Sequence, residues 1–439
     1  MKYVIRLIVS LTIILFSMNT FAQLKISAEL RTRGEAINAY QYLPDTTTET
    51  KFFVTQRTRI IANYKKDFYE TQISIQDVRF WGGEDNFTKA GVWSNTNGLD
   101  IYEAWAKFNL NENHFLKIGR QELRYDDERL LSWRNWNQYG ITYDAFVYGF
   151  RKKDWKLDLG LSYNSWGTAD KNNSYFDGAT TKRMKTLNFL HLNKEFDKFS
   201  ASFNLISAGY HKGNTTNVIY LTNTYGLYLK YKNNSFMIDG NAYMQSGKSY
   251  EGKDIKGAYL LTLNGETYLL DKKLSLKAGV DYFSGADGTN SDELYNTQHH
   301  NFNLMYGVRY LYYGNQNMFT LMDTHTKNAG LTDIHFGLNY KQSEKHIFDL
   351  TYHIFSTSEK VLKEIDPIQN ERIYYNQSLG SEIDMVYTYK INKELVVKSG
   401  LSYYFTNSTI ESFKGIKGDV GLPFWGWIML SFKPTLFEK

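Results

Sequence analysis

Arginine recurs at two-residue spacing in two early segments, Arg31 and Arg33 within Ile26 to Glu35, and Arg57 and Arg59 within Phe53 to Asn63. A guanidinium is permanently charged, and its planar fork holds a carboxylate through two parallel charge-assisted hydrogen bonds. Residues of this type suit recognition of an acidic solute. Arg79, Arg120 and Arg129 are further candidates, and Glu103, Trp105 and Lys107 repeat the two-residue spacing. Carboxylates stand among them: Glu29, Asp77 and Glu103 are placed to hold the cationic side chains. Charges of both signs on one face either brace a wall by pairing or set the field a solute feels, and the residues by themselves leave both roles open. Trp105, next to these charges, is a candidate for stacking on a sugar ring.

A two-residue spacing shares one face only in a β-strand. The intervening residues agree: Ile26, Ala28 and Leu30 alternate with Glu29, Arg31, Arg33 and Glu35; Ile60 and Ala62 oppose Arg57 and Arg59. Tyr102, Ala104, Ala106 and Phe108 are expected to face lipid, leaving Glu103, Trp105 and Lys107 inside. The same alternation runs through Trp155 to Asn164 and Leu274 to Tyr282. A lipid-facing arginine near the bilayer midplane would cost roughly 2–4 kcal/mol, which directs the arginines to the water side. At Gly119 the parity slips, and a β-bulge there would turn Arg120 inward.

Connections decide between a soluble sandwich and a membrane barrel. Short polar turns such as Lys65 to Asp67, Lys152 to Asp154 and Asp271 to Lys273 alternate with long Gly-, Asn- and Asp-rich segments such as Phe80 to Gly98, Tyr125 to Gly140 and Ser284 to Gly330. Turns on one rim and loops on the other are the requirement of an all-β, transmembrane up-and-down antiparallel β-barrel. The count is about eighteen strands; it becomes about twenty if Asn301 to Tyr312 pairs with Asn317 to His325. Ser284 to Gly330 is too long for an ordinary hairpin and is expected at the extracellular mouth or in the lumen as a restrictor. Phe424 to Phe432 reads as the closing strand, with Ile428, Leu430 and Phe432 toward lipid; Trp425 and Trp427 read as interface girdle residues.

Composition fits this class. Aromatic residues make up 16% of the chain and proline only 4 positions, as aromatic girdles and uninterrupted strands demand. Cysteine is absent, which excludes disulfides and thiolate chemistry. Lys2, Arg6, the apolar run Leu7 to Phe16 and the small-residue site before Gln23 read as an export signal over residues 1–22, followed by an outer-membrane barrel domain over 23–439. Strand pattern starts directly after the signal and leaves no room for an N-terminal plug. The formal net charge of +5, of which Lys2 and Arg6 supply two, gives no basis for a nucleic-acid partner. Other chemistries find little support. His299 and His300 lack a carboxylate cluster, Asp287, Asp292 and Glu293 lack the order of a calcium loop, and His353 with Asp349 has no serine nucleophile at a defined spacing. No catalytic residue, metal or cofactor is expected.

One stretch resembles a known family. Gln56, Arg57 and Arg59; Gln76, Asp77, Val78, Arg79, Trp81 and Gly82; Tyr102, Glu103 and Ala104; Gly119 to Leu123; Tyr125, Arg129 and Leu130; and Tyr143 with Asp144 look like the alginate export family of outer-membrane porins. The likeness is strong over Phe52 to Phe150 and fainter over Phe302 to Asp333. It implies an eighteen-stranded monomeric barrel whose constriction is lined by arginines and carboxylates and passes an acidic polysaccharide. One departure stands out: the glycine usual after the tyrosine of this segment is Asp126, and Asp127 and Glu128 make the segment more acidic still. The resulting expectation is a Gram-negative outer-membrane channel for an anionic oligo- or polysaccharide, with Arg31, Arg33, Arg57, Arg59, Arg79, Arg120, Arg129, Asp77, Glu103, Trp105 and Lys107 lining the pore. Its partners would be that solute, outer-membrane lipid and lipopolysaccharide, and the barrel-assembly machinery. The alternatives are a general anion or nutrient porin for uptake, or an outer-membrane lipid-modifying enzyme.

Overall fold

A sheet with one face in lipid has no water to satisfy an open edge, so it must close on itself. The computed structural model describes residues 23–81, 99–164, 184–211 and 218–439, and within them the sheet closes. Its first strands are β1 (Gln23–Ile37), β2 (Lys51–Lys66), β3 (Tyr69–Phe80), β4 (Leu99–Asn109), β5 (His114–Gln121), β6 (Tyr143–Lys152) and β7 (Trp155–Tyr163). Next come β8 (Met184–Phe196), β9 (Phe199–His211), β10 (Ile219–Lys232), β11 (Phe236–Lys248), β12 (Asp254–Leu269) and β13 (Leu274–Phe283). After them run β14 (Thr332–Lys341), β15 (His346–Ser356), a small loop hairpin of β16 (Leu362–Ile365) and β17 (Arg372–Tyr374), then β18 (Ser378–Lys390), β19 (Leu395–Phe405), β20 (Phe424–Phe432) and β21 (Thr435–Glu438). Short helices α1 (Glu293–Thr297), α2 (Met322–His325) and α3 (Ser408–Phe413) lie in the loops.

Each wall strand pairs antiparallel with the next, and β1 pairs on its other side with β20 and β21. Pro434 has no N–H to give the ladder, so the last strand breaks there: Phe432 still faces Leu30, and Glu438 resumes opposite Lys25. β20 and β21 together are the eighteenth wall strand. The alternative of twenty fails because β13 pairs directly with β14, from Tyr282 opposite Thr332 to Leu274 opposite Tyr340. The segment between them holds two short helices instead of a hairpin and turns into the lumen, where Phe302, Met318, Phe319 and Leu331 are buried among inward wall residues such as Phe283 and Phe355. Outward positions carry the apolar band, for example Ile60, Ile118, Leu161 and Ile428. The expected export signal, residues 1–22, lies outside the described residues.

Six side chains point otherwise than expected. No register shift occurs at Gly119: pairing runs unbroken from Asn109 opposite Phe115 to Ala104 opposite Arg120. Arg120 therefore shares the outer face with Ile118, and binds Asp144 through Nε and Nη2 at 2.9 and 3.0 Å. The irregularity is on β4 instead, where Ser74 faces Glu103 but Ile75 faces Ile101. The extra residue, Tyr102, turns inward and is 1% exposed, so it does not meet lipid. Asp77 and Arg79 share the face of Ile73 and Ile75, outside the lumen, and pair with each other at 2.6 Å. Trp425 and Trp427 alternate with Ile428 and point inward, stacking with Tyr40 and Trp136 inside the barrel and not at an interface girdle.

Gly119 has φ +118°, and a Cβ there would lie 2.9 Å from the Trp105 Cα in the facing strand. Gly119→Ala is expected to cost about 1–3 kcal/mol of strain. The check is the urea midpoint of the heat-modifiable form in lipid vesicles, which should fall while the barrel still forms.

Candidate functional site

The inward faces of β1 and β2 put Glu29 opposite Arg59, Arg31 opposite Arg57 and Arg33 opposite Thr55. Two arginines directly across a ladder repel each other unless acceptors intervene. The acceptors come from the segment between β5 and β6, residues 122–142, which folds into the barrel instead of projecting outward. Arg31 donates to the carbonyls of Asn135, Trp136 and Asn137 at 2.5, 3.2 and 2.9 Å and to Gln138 Oε1 at 2.9 Å. Arg33 donates to the Trp136 carbonyl at 3.0 Å and pairs with Glu35 at 2.8 Å. Arg57, with no exposed surface, binds Glu29 at 2.6 Å, Asn135 Oδ1 at 2.8 Å and the Asn137 and Gln138 carbonyls. Arg59 donates to the Tyr139 carbonyl at 3.1 Å and to Gln76, and lies over the Tyr102 ring at 3.4 Å. Gly140 lets the backbone come this close: a Cβ there would fall 2.8 Å from Tyr102 Oη and 3.1 Å from Arg59 Nη2.

The other half of the segment is tied across the lumen. Asp126 has φ +53°, the left-handed region a glycine enters without strain. Its carboxylate accepts from His191 Nε2 at 2.9 Å, Ser202 Oγ at 2.5 Å and Asn204 Nδ2 at 2.8 Å, on β8 and β9. These three bonds offset the strain of holding a non-glycine residue in that conformation. Asp127 accepts from Asn241 on β11 and pairs with Arg129. Arg129 is fully buried; it also pairs with Asp281 on β13, donates to Tyr313 Oη at 2.5 Å and lies over the Tyr312 ring. Arg134 donates to the carbonyls of Met305, Tyr306 and Gly307, and Leu131 bridges Tyr306. The two inward segments thus lock together inside the barrel.

Of the expected pore residues, Arg31, Arg33, Arg57 and Arg59 come together under the segment, and Arg129 sits inside it. Glu103, Trp105 and Lys107 face inward on β4. Trp105 Nε1 donates to Glu103 Oε1 at 3.1 Å, and the Lys117 ammonium covers the indole at 3.9 Å, so one ring face is occupied. Asp77, Arg79 and Arg120 lie on the outer face and are not part of this assembly. The alternation did not reveal the segment 135–139, whose contribution is backbone carbonyls, or Tyr102, displaced by a bulge.

A family model for alginate export matches residues 22–419. The chain belongs to the alginate export family. No curated protein matches it in sequence. Among solved structures, Acinetobacter baumannii OccAB4 superposes with a TM-score of 0.59 at 11% identity, covering 94% of this chain and 98% of that one. The outer membrane protein OpdK of Pseudomonas aeruginosa gives 0.57 at 11% identity over 94% and 98%, and OccK11 (OpdR) of the same organism gives 0.56 at 10% over 95% and 96%. At these identities the likeness is one of fold. This alginate export barrel is an integral outer-membrane channel of the porin type, not an enzyme.

Glu122, one residue beyond β5, accepts from Tyr102 Oη at 2.9 Å beside Arg59. Burial, and then the neighbouring Glu103 carboxylate, push its carboxyl up to about 7 from an ordinary 4.5. With the folded value raised, the unfolded chain releases this proton first, so stability falls as pH rises from about 4.5 to about 7. The same ionisation adds a negative charge next to Arg59. In planar bilayers the reversal potential of the wild type should move toward cations between pH 5 and 8, and Glu122→Gln should remove that movement.

Proposed function

We propose that this barrel passes an anionic oligo- or polysaccharide of the uronate type, using the arginine strip of β1 and β2 as its guiding surface. The observation that carries the reading is a charge excess. Four inward arginines share two carboxylates, Glu29 and Glu35; Arg31 and Arg59 hold only neutral acceptors among the described residues. A low-dielectric wall focuses the field of such an excess into the lumen. The carbonyl oxygens of 135–139 stand where carboxylates of a uronate chain would stand. A carboxylate offers a guanidinium net opposite charge and two parallel acceptors where a carbonyl offers a single neutral oxygen, so solute carboxylates can take over guanidinium donors from those carbonyls. Passage would then loosen the segment and be guided by the same residues. Family membership and the porin fold support the class of protein; the choice of solute rests on the charge excess. The protein would act as a monomer in lipopolysaccharide-rich outer membrane after insertion by the barrel-assembly machinery.

The test is single-channel recording of wild type and of an Arg31→Gln, Arg59→Gln double variant, with acidic oligouronate added on one side. Wild type should be anion-selective and blocked by the oligouronate. Hydrogen bonds to charged groups contribute ~1.5–3 kcal/mol, so the variant should lose block by about tenfold or more. Its reversal potential should also shift toward cations, chiefly below ~0.15 M salt. Anion selectivity without oligouronate block would instead favour a small-anion or nutrient porin. Unchanged selectivity in a folded variant would reduce the arginines to clasps for the segment.

A further inference from the structure

Away from the arginine strip, β13, β14, β15 and β18 turn a second set of polar residues inward: Asp281, Asp333, His335, His353, Glu382 and Asp384. Asp333, His335 and His353 each offer one ligand atom, and the three atoms lie within 4.8 Å of one another. His353 Nδ1 is 3.0 Å and His335 Nδ1 3.5 Å from the same oxygen, Asp333 Oδ2.

Hydrogen bonding fixes how His335 presents itself. Asn264 Nδ2 donates to Asp239 Oδ1 at 3.0 Å, which orients the amide so that its oxygen faces His335 Nε2 at 3.2 Å. An amide oxygen only accepts, so Nε2 carries the proton and, in the neutral ring, Nδ1 presents a lone pair toward the Asp333 carboxylate. Nδ1 is buried, and among the described residues it has no partner nearer than Asp333 Oδ2 at 3.5 Å. A lone pair facing a carboxylate at this distance is repulsive without a cation between them. A metal-binding imidazole is normally oriented in this way, by donating its other nitrogen to a fixed acceptor.

The surroundings are short of positive charge too. Asp281 stands opposite Asp333 and Glu382 opposite His353 in register; neither has exposed surface, and Asp281 Oδ1 and Glu382 Oε2 are without partners. Asp384 lies 3.9 Å from His353 Nε2. Against these four carboxyl groups, the nearby arginine among the described residues is Arg129, bound to Asp281 and shared with Asp127. Buried charges are paired or coordinate metals.

We infer that Asp333, His335 and His353 bind a divalent transition-metal ion of the zinc class. Two imidazole nitrogens and a carboxylate oxygen are a three-ligand set of the kind zinc takes with a water in fourth place, at ~2.0–2.2 Å per ligand. Tetrahedral ligands at that radius are ~3.3 Å apart, close to both Asp333 separations, and binding would draw the two imidazole nitrogens, now within 4.8 Å, to the same spacing. A bound ion would cross-link β14 to β15 and lower the negative potential of this wall. The inference is independent of which solute the channel passes.

The experiment is titration of chelator-treated, detergent-purified barrel with Zn²⁺ by calorimetry, with Co²⁺ as a spectroscopic probe. Wild type should bind one equivalent, and Co²⁺ should show visible bands of low coordination number. His335→Ala should abolish this binding. Asn264→Leu, which removes only the orienting acceptor, should weaken it by about tenfold or more. His299→Ala, a loop histidine outside the cluster, should change nothing. The inference is overturned if wild type binds no Zn²⁺, if folded His335→Ala binds as wild type does, if His299→Ala removes the binding, or if Asn264→Leu leaves the affinity intact. It is also overturned if NMR at neutral pH shows both rings doubly protonated with Zn²⁺ present, because two imidazolium ions would then supply the missing charge.

Discussion

The interior depends on an exchange between buried guanidinium groups and backbone carbonyls. In a closed barrel the wall's own amides and carbonyls are consumed by the ladder, so nothing in the wall backbone can hold a segment inside the lumen. Residues 135–139 have no secondary structure of their own to satisfy their carbonyls, and buried carbonyls left bare are costly. A guanidinium carries five donors and no acceptor. Arg31, Arg33, Arg57 and Arg59 therefore supply what the segment lacks, and the segment supplies what four crowded cations lack. Remove either side and the other would need water, which would leave a wider and wetter channel.

The acidic residues at the start of the segment are the counterpart on the opposite wall. Asp126, Asp127 and Glu128 look from the chain alone like an acidic loop tip. In the fold each has an internal partner: Asp126 on β8 and β9, Asp127 with Arg129 and Asn241, and Glu128 with Ser132 Oγ at 2.7 Å. The segment is thus a strap fixed at both ends, by cations donating to its carbonyls at one wall and by its carboxylates accepting from side chains at the other. Asp126 combines a left-handed backbone, the conformation natural to glycine, with an anchor to the wall.

Wall architecture was legible because strand period, turn length and parity are local properties. Alternation alone puts Glu29, Arg31, Arg33, Arg57, Arg59, Glu103, Trp105 and Lys107 inside, and each is found there. It misplaced Tyr102 because a one-residue bulge on β4 leaves no mark in side-chain chemistry. Arg79 and Asp77 were expected inside as an extension of the arginine strip, against the parity of Ile73 and Ile75; near the end of a strand a charged pair on the outer face costs little at the edge of the apolar band. Trp425 and Trp427 follow the parity of Ile428, Leu430 and Phe432, which puts them inside although tryptophan at a strand end commonly sits at the membrane interface. The interior filling was illegible for a different reason. Its acceptors are peptide carbonyls, which every residue carries, and its contacts join residues some hundred positions apart, as Arg31 joins Asn135.

The barrel is electrically lopsided, and this bears on how a flexible polyanion would be handled. Positive charge is concentrated on β1 and β2, while Asp281, Asp333, Glu382 and Asp384 lie together on β13, β14 and β18. A uronate chain in such a lumen would be drawn to one wall and repelled from another, which fixes its lateral position without a deep pocket. Tight ionic partners on the attractive wall would defeat that arrangement, since displacing a buried carboxylate from an arginine strands a charge at a cost of several kcal/mol. Neutral carbonyls do not have this defect. If a solute carboxylate took a donor from Asn137 or Tyr139, the group left behind would be a neutral dipole, and the bond would re-form once the solute had gone. Covering Arg31 and Arg59 with backbone oxygens, and not with further glutamates, would therefore keep the strip both buried at rest and exchangeable in the proposed passage.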